Sequence, residues 1–378
     1  MTFPADPVSL LSELIAVPSV SPEGDAGGTI PGERAMAHHV AALLRLMGAE
    51  VTVTDVSPGR PNVVGRFPCA VPGAPVVAIV PHSDTVGVAG MTVPAFTSTV
   101  RDGRVYGRGA CDTKGPMAAA LWALSQWRRS PRADSARVQW VFAMTMGEEE
   151  MSTGASALCA AGFRADFALI LEPTEMQAVR AGKGVLRLWV AADGRACHGS
   201  TPELGDNAIY KLLPFAQACR DELAPAFAGR IDPSLGGASL NLGVFRGGGE
   251  LNIVPDRALV GMDIRTHPGL NNDEALARVR SCAGDLTVTV HRDGPPYALP
   301  EDHPWLRRLR PFTRGITTAP WFSDANVFNA RGIPAVAIGP GSIRQAHTHD
   351  EFIEIAALEE GAEAFRRFIE QPSLCAPA

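Results

Sequence analysis

The residues best able to do chemistry are scattered along the chain. They are His82 and Asp84 in "PHSDT", Asp112 in "GRGACDTKG", the run Glu148-Glu149-Glu150, Glu172 in "LEPTE", and His347 in "GPGSIRQAHTHDEF". Imidazole nitrogens and carboxylate oxygens together form a donor set suited to Zn²⁺, with Co²⁺ or Mn²⁺ as substitutes. His82 and Asp84 stand two apart after the apolar run Val76–Val80, so in extended chain their side chains share one side. A metal ligand with its orienting group fits that spacing, and so does an ordinary polar loop. The glycine-rich loop at 107–115 tests two other chemistries, and both fail. A dinucleotide fingerprint needs glycine where Asp112 stands, and a P-loop needs Ser or Thr where Gly115 follows Lys114.

The elements that must position these residues can be read from periodicity. Helices are expected over 7–16 and 33–47, and strands over 50–55, 62–66 and 76–80. Pro116 opens a helix running from Met117 to Arg128, with a strand over 138–146 and a helix over 152–161 beyond it. Further strands fall at 167–171 and 335–338. Strands alternating with helices predict an α/β domain with a mixed, largely parallel sheet flanked by helices. The middle of the chain reads β-α-β-β-α-β, with strands near 184–192, 238–244, 258–266 and 286–290 and helices over 207–223 and 272–283. That is the order of a ferredoxin-like α+β unit. The expected division is a discontinuous domain, 1–179 and 293–378, interrupted by an inserted domain at 180–292. His82, Asp112, the glutamate run, Glu172 and His347 then all fall at or just past strand ends or in the loops after them, where ligands of open α/β sheets gather.

Composition narrows the class. The 378 residues exceed what one core usually holds, 46% are apolar and 20% charged, and the net charge is −6. No basic block is present, so nucleic acid is not an expected partner, and no apolar run reaches the roughly 20 residues that span a bilayer. The N-terminal residues lack a signal-peptide pattern. Seven cysteines, odd in number and without a C-x-x-C pair, argue against a disulfide framework and for a cytoplasmic protein.

Taken together and in order, "PHSDT", "GRGACDTKG", "GEEE…STGA", "LEPTE", "GRACHGS", "ELNIVPD", "DIR" and "GPGSIRQAHTHDEF" resemble a family of two-zinc amidohydrolases. That family includes acetylornithine deacetylase, succinyl-diaminopimelate desuccinylase, aminoacylases and glutamate-releasing carboxypeptidases. The resemblance implies two Zn²⁺ per subunit: His82 and Glu172 on one, Glu149 and His347 on the other, and Asp112 bridging. It implies that Asp84 orients His82, that Glu148 is the general base for a metal-bridging water, and that the bond after Asp112 is cis. His198 would reach a partner subunit's site and stabilise the oxyanion, and Arg265 and Asn252 would hold the substrate's α-carboxylate. The inserted domain would serve dimerisation and act as a lid.

The expected activity is zinc-dependent hydrolysis of N-acyl-L-amino acids in amino-acid metabolism, by a homodimer acting on a small molecule. A dipeptidase or carboxypeptidase of the same family is the alternative, and a catalytically dead binding relative is an alternative of another class. Three departures from the family pattern stand out: Pro81 where glycine is common, Gly147 where aspartate is common, and Ser323 where threonine is common. The glutamate run also permits a second register, with Glu149 as base and Glu150 as ligand, and His349 competes with His347.

Overall fold

The computed structural model describes residues 2–25, 27–30, 32–69 and 71–371. It divides into two compact units. The first comprises Met1–Arg180, Leu299–Thr317 and Ser323–Ala378, and the second Ala181–Ala298 with Thr318–Phe322.

The first unit is built on a mixed sheet. From one edge its strands run Glu50–Ser57, Arg60–Arg66, Gln139–Met144, Val76–Val80, Phe167–Leu171, Ala335–Ile338 and Gln177–Gly182. The parallel pairings are confined to the four central strands, Gln139–Met144 through Ala335–Ile338; the outer ones are antiparallel. The central strands are the nearly continuous apolar runs, as a sheet covered on both faces requires. The helix Lys114–Arg129 is buried along most of its length, including Met117, Leu121, Leu124 and Trp127. It begins two residues before the expected Pro116 start. At the third helical position Pro116 removes an N–H that has no intrahelical partner in any case, so the helix tolerates it there. Helices Pro7–Ile15, Arg34–Leu46 and Ile355–Ile369 complete the same core through Leu10, Leu14, Val40, Leu44, Phe365 and Phe368.

The second unit has its own core and an all-antiparallel sheet ordered Ser239–Gly247, Arg257–Thr266, Gly184–Asp193, Thr287–Gly294. Leu186, Leu188 and Val190 alternate along the Gly184–Asp193 strand and belong to one buried cluster with Leu212 and Phe215 of helix Ala208–Ala218 and Val279 of helix Asn272–Ala283. The single helix expected over 207–223 is interrupted: Ala208–Ala218 passes into a π-helical turn, Cys219–Leu223, and then a short helix, Ala224–Ala228. Six cysteines are free thiols, and Cys375 lies outside the described residues. Among the described residues no helix is long and apolar enough to cross a membrane.

Candidate metal centre

Strands Val76–Val80 and Gln139–Met144 run parallel, and their pairing continues past both ends. The Ser83 amide donates to the Thr145 carbonyl (2.8 Å) and the Thr145 amide to that of Pro81 (3.0 Å). This extension sets His82 beside the turn that carries the glutamates. The His82 ring is buried; its Nε2 lies 3.1 Å from Asp112 Oδ1. Its Nδ1 lies 2.9 Å from the Asp84 carbonyl oxygen and 3.5 Å from the Asp84 carboxylate.

Asp84, expected to orient the ring, meets it through both its main chain and its carboxylate. The shortest contact to the ring comes from the Asp84 main chain, while its carboxylate accepts the amides of Glu148 (3.0 Å) and Glu149 (3.1 Å). Asp84 therefore fixes the His82 loop and the glutamate turn to each other.

Asp112 turns its two oxygens to two different imidazoles: Oδ1 to His82, and Oδ2 to His347 Nε2 at 3.3 Å. His347 Nε2 also lies 2.9 Å from Glu149 Oε2. Ligand-type atoms of His82, Asp112 and Glu149 fall within 4.8 Å of one another, as do those of His82, Glu148 and Glu172. The Asp112–Thr113 peptide bond is cis. Glu150, the ligand of the slipped register, points elsewhere: its carboxylate pairs with Arg60 Nη1 at 2.9 Å and accepts the Glu23 amide. His349 lies instead against Gly90, where an added Cβ would stand 3.1 Å from its Nε2.

Crowding carboxylates in a buried space has clear electrostatic consequences. Burial pushes the Glu148 and Glu172 carboxyls well above their ordinary range; Asp324 and Glu149 push Glu148 further, and Asp112 and Glu148 do the same to Glu172. Burial also raises Glu149, with Asp112 adding to it. For Asp112 burial works in the same sense but is outweighed, because hydrogen bonds with His347 and His82 hold it low. His347 is pushed up to about 10, chiefly by hydrogen bonds to Asp112 and Glu149. Burial would lower His82, yet hydrogen bonds to Asp112 and Asp84 raise it well above its usual value. Two imidazoles among so many converging carboxylates form a site that favours divalent cations, and an all-nitrogen-and-oxygen donor set fits the zinc class. The Cys111 thiol is not among the donors; it donates to the Ser342 carbonyl at 3.3 Å.

Two buried carboxylates that sequence reasoning missed support these loops. Glu33 accepts the Gly147 amide (2.9 Å) and the Ser83 hydroxyl (3.3 Å) and pairs with Arg60. Glu351 lies under the Asp112 loop, bonded to Arg108 and to main-chain amides. Nothing local marks Glu33, which sits at a helix start far away in sequence. Glu351 carried a weak signal, being four residues past His347 in a quoted motif. Ser323 caps the helix Asp324–Ala330 and accepts the Ala325 amide at 3.2 Å.

His198, Asn252 and Arg265 belong to the second unit. The Gly199 amide donates to the Asn252 carbonyl at 2.7 Å, and His198 bridges Ile253, so His198 and Asn252 stand on paired segments. The His198 ring is exposed; its Nδ1 accepts the Ser200 amide (3.2 Å) and lies 2.7 Å from the Ser200 hydroxyl. An accepting Nδ1 leaves the ring proton on Nε2. Arg265 is less free than expected of a carboxylate-binding fork. Its Nε and Nη2 are bonded to Asp263 at 2.6 and 3.3 Å, and Asp263 is also paired with Arg187 at 3.0 Å.

The model of peptidase family M20/M25/M40 matches residues 78–371. An acetylornithine deacetylase of Proteus mirabilis (strain HI4320) is 30% identical over 387 residues, covering 96% of this chain and 96% of the relative. A probable succinyl-diaminopimelate desuccinylase of Staphylococcus epidermidis is 25% identical over 412 residues, covering 97% of this chain and 98% of the relative. Among solved structures, an M20 family metallo-carboxypeptidase from Sulfolobus solfataricus matches with a TM-score of 0.78 at 18% identity, over 97% of this chain and 99% of the other.

Proposed function

This chain belongs to peptidase family M20/M25/M40 and is a hydrolase, and from that premise we propose that it cleaves the amide of N-acyl-L-amino acids. The observation that carries the reading is Asp112, whose two carboxylate oxygens face the two imidazoles His82 and His347 beside the half-buried Glu148. In this reading His82 and Glu172 would hold one Zn²⁺, Glu149 and His347 would hold the second, and Asp112 would serve both; Co²⁺ or Mn²⁺ could replace them. Metal bound there supplies Lewis acidity, acidifying the attacking water and polarising the amide carbonyl.

The chain's own residues do the rest. Glu148, held by its main chain on Asp84, takes a proton from the attacking water and returns it to the leaving amine. His198 offers its Nε2–H to the developing oxyanion in a partner subunit of a homodimer, with the inserted unit as the dimerising lid. Arg265, braced by Asp263, and Asn252 take the substrate's α-carboxylate. The acetylornithine and succinyl-diaminopimelate substrates of the named relatives place an amide next to such a carboxylate, and a cytoplasmic enzyme of amino-acid metabolism fits them.

A dipeptidase or carboxypeptidase reading is kept open by the metallo-carboxypeptidase fold match. The deciding experiment is amine release by zinc-loaded protein from a matched panel: N-acetylornithine, N-acetylcitrulline, N-succinyl-diaminopimelate, other N-acetyl amino acids and dipeptides, with Glu148→Gln as control. Turnover of an acyl amino acid that the control abolishes supports the proposal. Turnover confined to dipeptides moves the chain to the peptidase branch.

A further inference from the structure

Glu351 comes four residues after His347, yet its side chain is spent on a different loop. It is 1% exposed, and both of its oxygens are saturated. Oε2 accepts Arg108 Nη1 at 2.6 Å and the Gly109 amide at 2.9 Å; Oε1 accepts the Cys111 amide at 2.9 Å and the Asp112 amide at 3.0 Å. An ionised carboxylate has about four acceptor sites, and this one uses all four on donors. Its main chain grips the same loop, since the Gly107 amide donates to the Glu351 carbonyl at 3.1 Å. Immediately beyond, Phe352–Glu354 pairs antiparallel with Arg104–Tyr106, the strand that leads into that loop.

We propose that Glu351 is a positioning residue for the metal centre: it sets Asp112 against His347 by locking the loop that carries the first to the segment that carries the second. The inference rests on the metal-centre reading above and adds to it a residue that touches no metal. Three successive features give it force. The carboxylate collects main-chain amides at 109, 111 and 112, so it sets the path of the loop as well as one side chain. Arg108, itself 2% exposed, supplies the countercharge a buried carboxylate needs. Asp112 faces two imidazoles at 3.1 and 3.3 Å, so a small shift of its main chain spoils both contacts.

Glutamine is the isosteric probe. Wherever its carboxamide NH₂ sits, it meets two donors in place of an acceptor, and a buried donor pair is left unmade. The test titrates metal-free wild type and Glu351→Gln with Co²⁺, following visible absorption and bound metal per chain, with kcat and KM measured in parallel. In the variant the weaker Co²⁺ equivalent is expected to bind about 10- to 100-fold less tightly, as for other partners that orient metal ligands. An altered visible spectrum, a lowered kcat at little-changed KM, and partial recovery at excess Co²⁺ are expected with it. A folding defect alone would also be offset by excess metal, which stabilises the folded chain, but it would leave the spectrum of the bound ion unchanged.

Arg108→Gln is the second variant, to be read if Glu351→Gln fails to fold. It keeps the three amide bonds and loses the charged one, and should show the same changes in weaker form. Wild-type affinity, spectrum and kcat in whichever variant folds would overturn the inference. A wild-type protein taking up less than one Co²⁺ would instead remove the metal-centre reading, and this inference with it.

Discussion

The first unit holds most of its chemical residues in a buried, mutually bonded cluster with the more exposed His347 at its edge, whereas the second presents them largely on its surface. His82, Asp84, Asp112 and Glu172 are all buried, and three of the loops at the cluster are anchored by a further carboxylate: Glu33 on the His82 loop, Asp84 and Glu33 on the glutamate turn, and Glu351 on the Asp112 loop. In the second unit the His198 ring is bonded to Ser200 two residues away, Asn252 is exposed, and Arg265 is half-buried against Asp263. A cluster with several fixed donors per carboxylate is pre-organised and tolerates little displacement. Exposed side chains with short-range partners can adjust to a ligand at small cost. Under the proposed function, the difference suits a division in which residues of the first unit do bond-breaking and those of the second recognise the substrate.

Substitutions can break or sharpen that contrast. The largest effect is expected at Glu148: Glu148→Gln should lower kcat by about 10²- to 10⁴-fold, the range for a lost general acid–base, with KM and metal content close to wild type. Loss of metal along with activity would show that Glu148 is a ligand rather than the base. Asp84→Asn should come next, at roughly 10- to 100-fold in metal affinity or activity. Its amide nitrogen would face the Glu148 or Glu149 amide, so it should disturb the base and the His82 site together. An effect on metal affinity with kcat intact at saturating metal would restrict Asp84 to the ring. The smallest is expected at Arg265: Arg265→Ala should raise KM by roughly tenfold for substrates with a free α-carboxylate, the equivalent of one exposed charge-assisted hydrogen bond, and leave metal content unchanged. A fall in metal content there would contradict the separation of roles.

Legibility in the sequence followed the same contrast. Strands Val76–Val80, Phe167–Leu171 and Ala335–Ile338 and helix Asn272–Ala283 match their expected bounds, because unbroken apolar runs and a well-formed helical period are local signals. Three-residue strands such as Arg104–Tyr106 and Phe352–Glu354 carry no period that could announce them. The interrupted helix after Ala218 was equally silent, since a π-turn keeps helical composition while changing only the hydrogen-bond span.

What the sequence alone determined was the family, the α/β class and the identity of His82, Asp112, Glu148, Glu149, Glu172 and His347 as the residues to watch, because ligand types and the apolar strands ahead of them are written locally. Only the tertiary structure decided which oxygen faces which ring. It turned Glu150 to Arg60, gave Asp84's carboxylate to two amides and aimed Glu351 at the Asp112 loop. Those outcomes depend on contacts between segments 30 to 243 positions apart, such as His82 with Asp112 and Arg108 with Glu351. A buried carboxylate takes whatever donors the folded chain brings to it, and no local pattern records which those are.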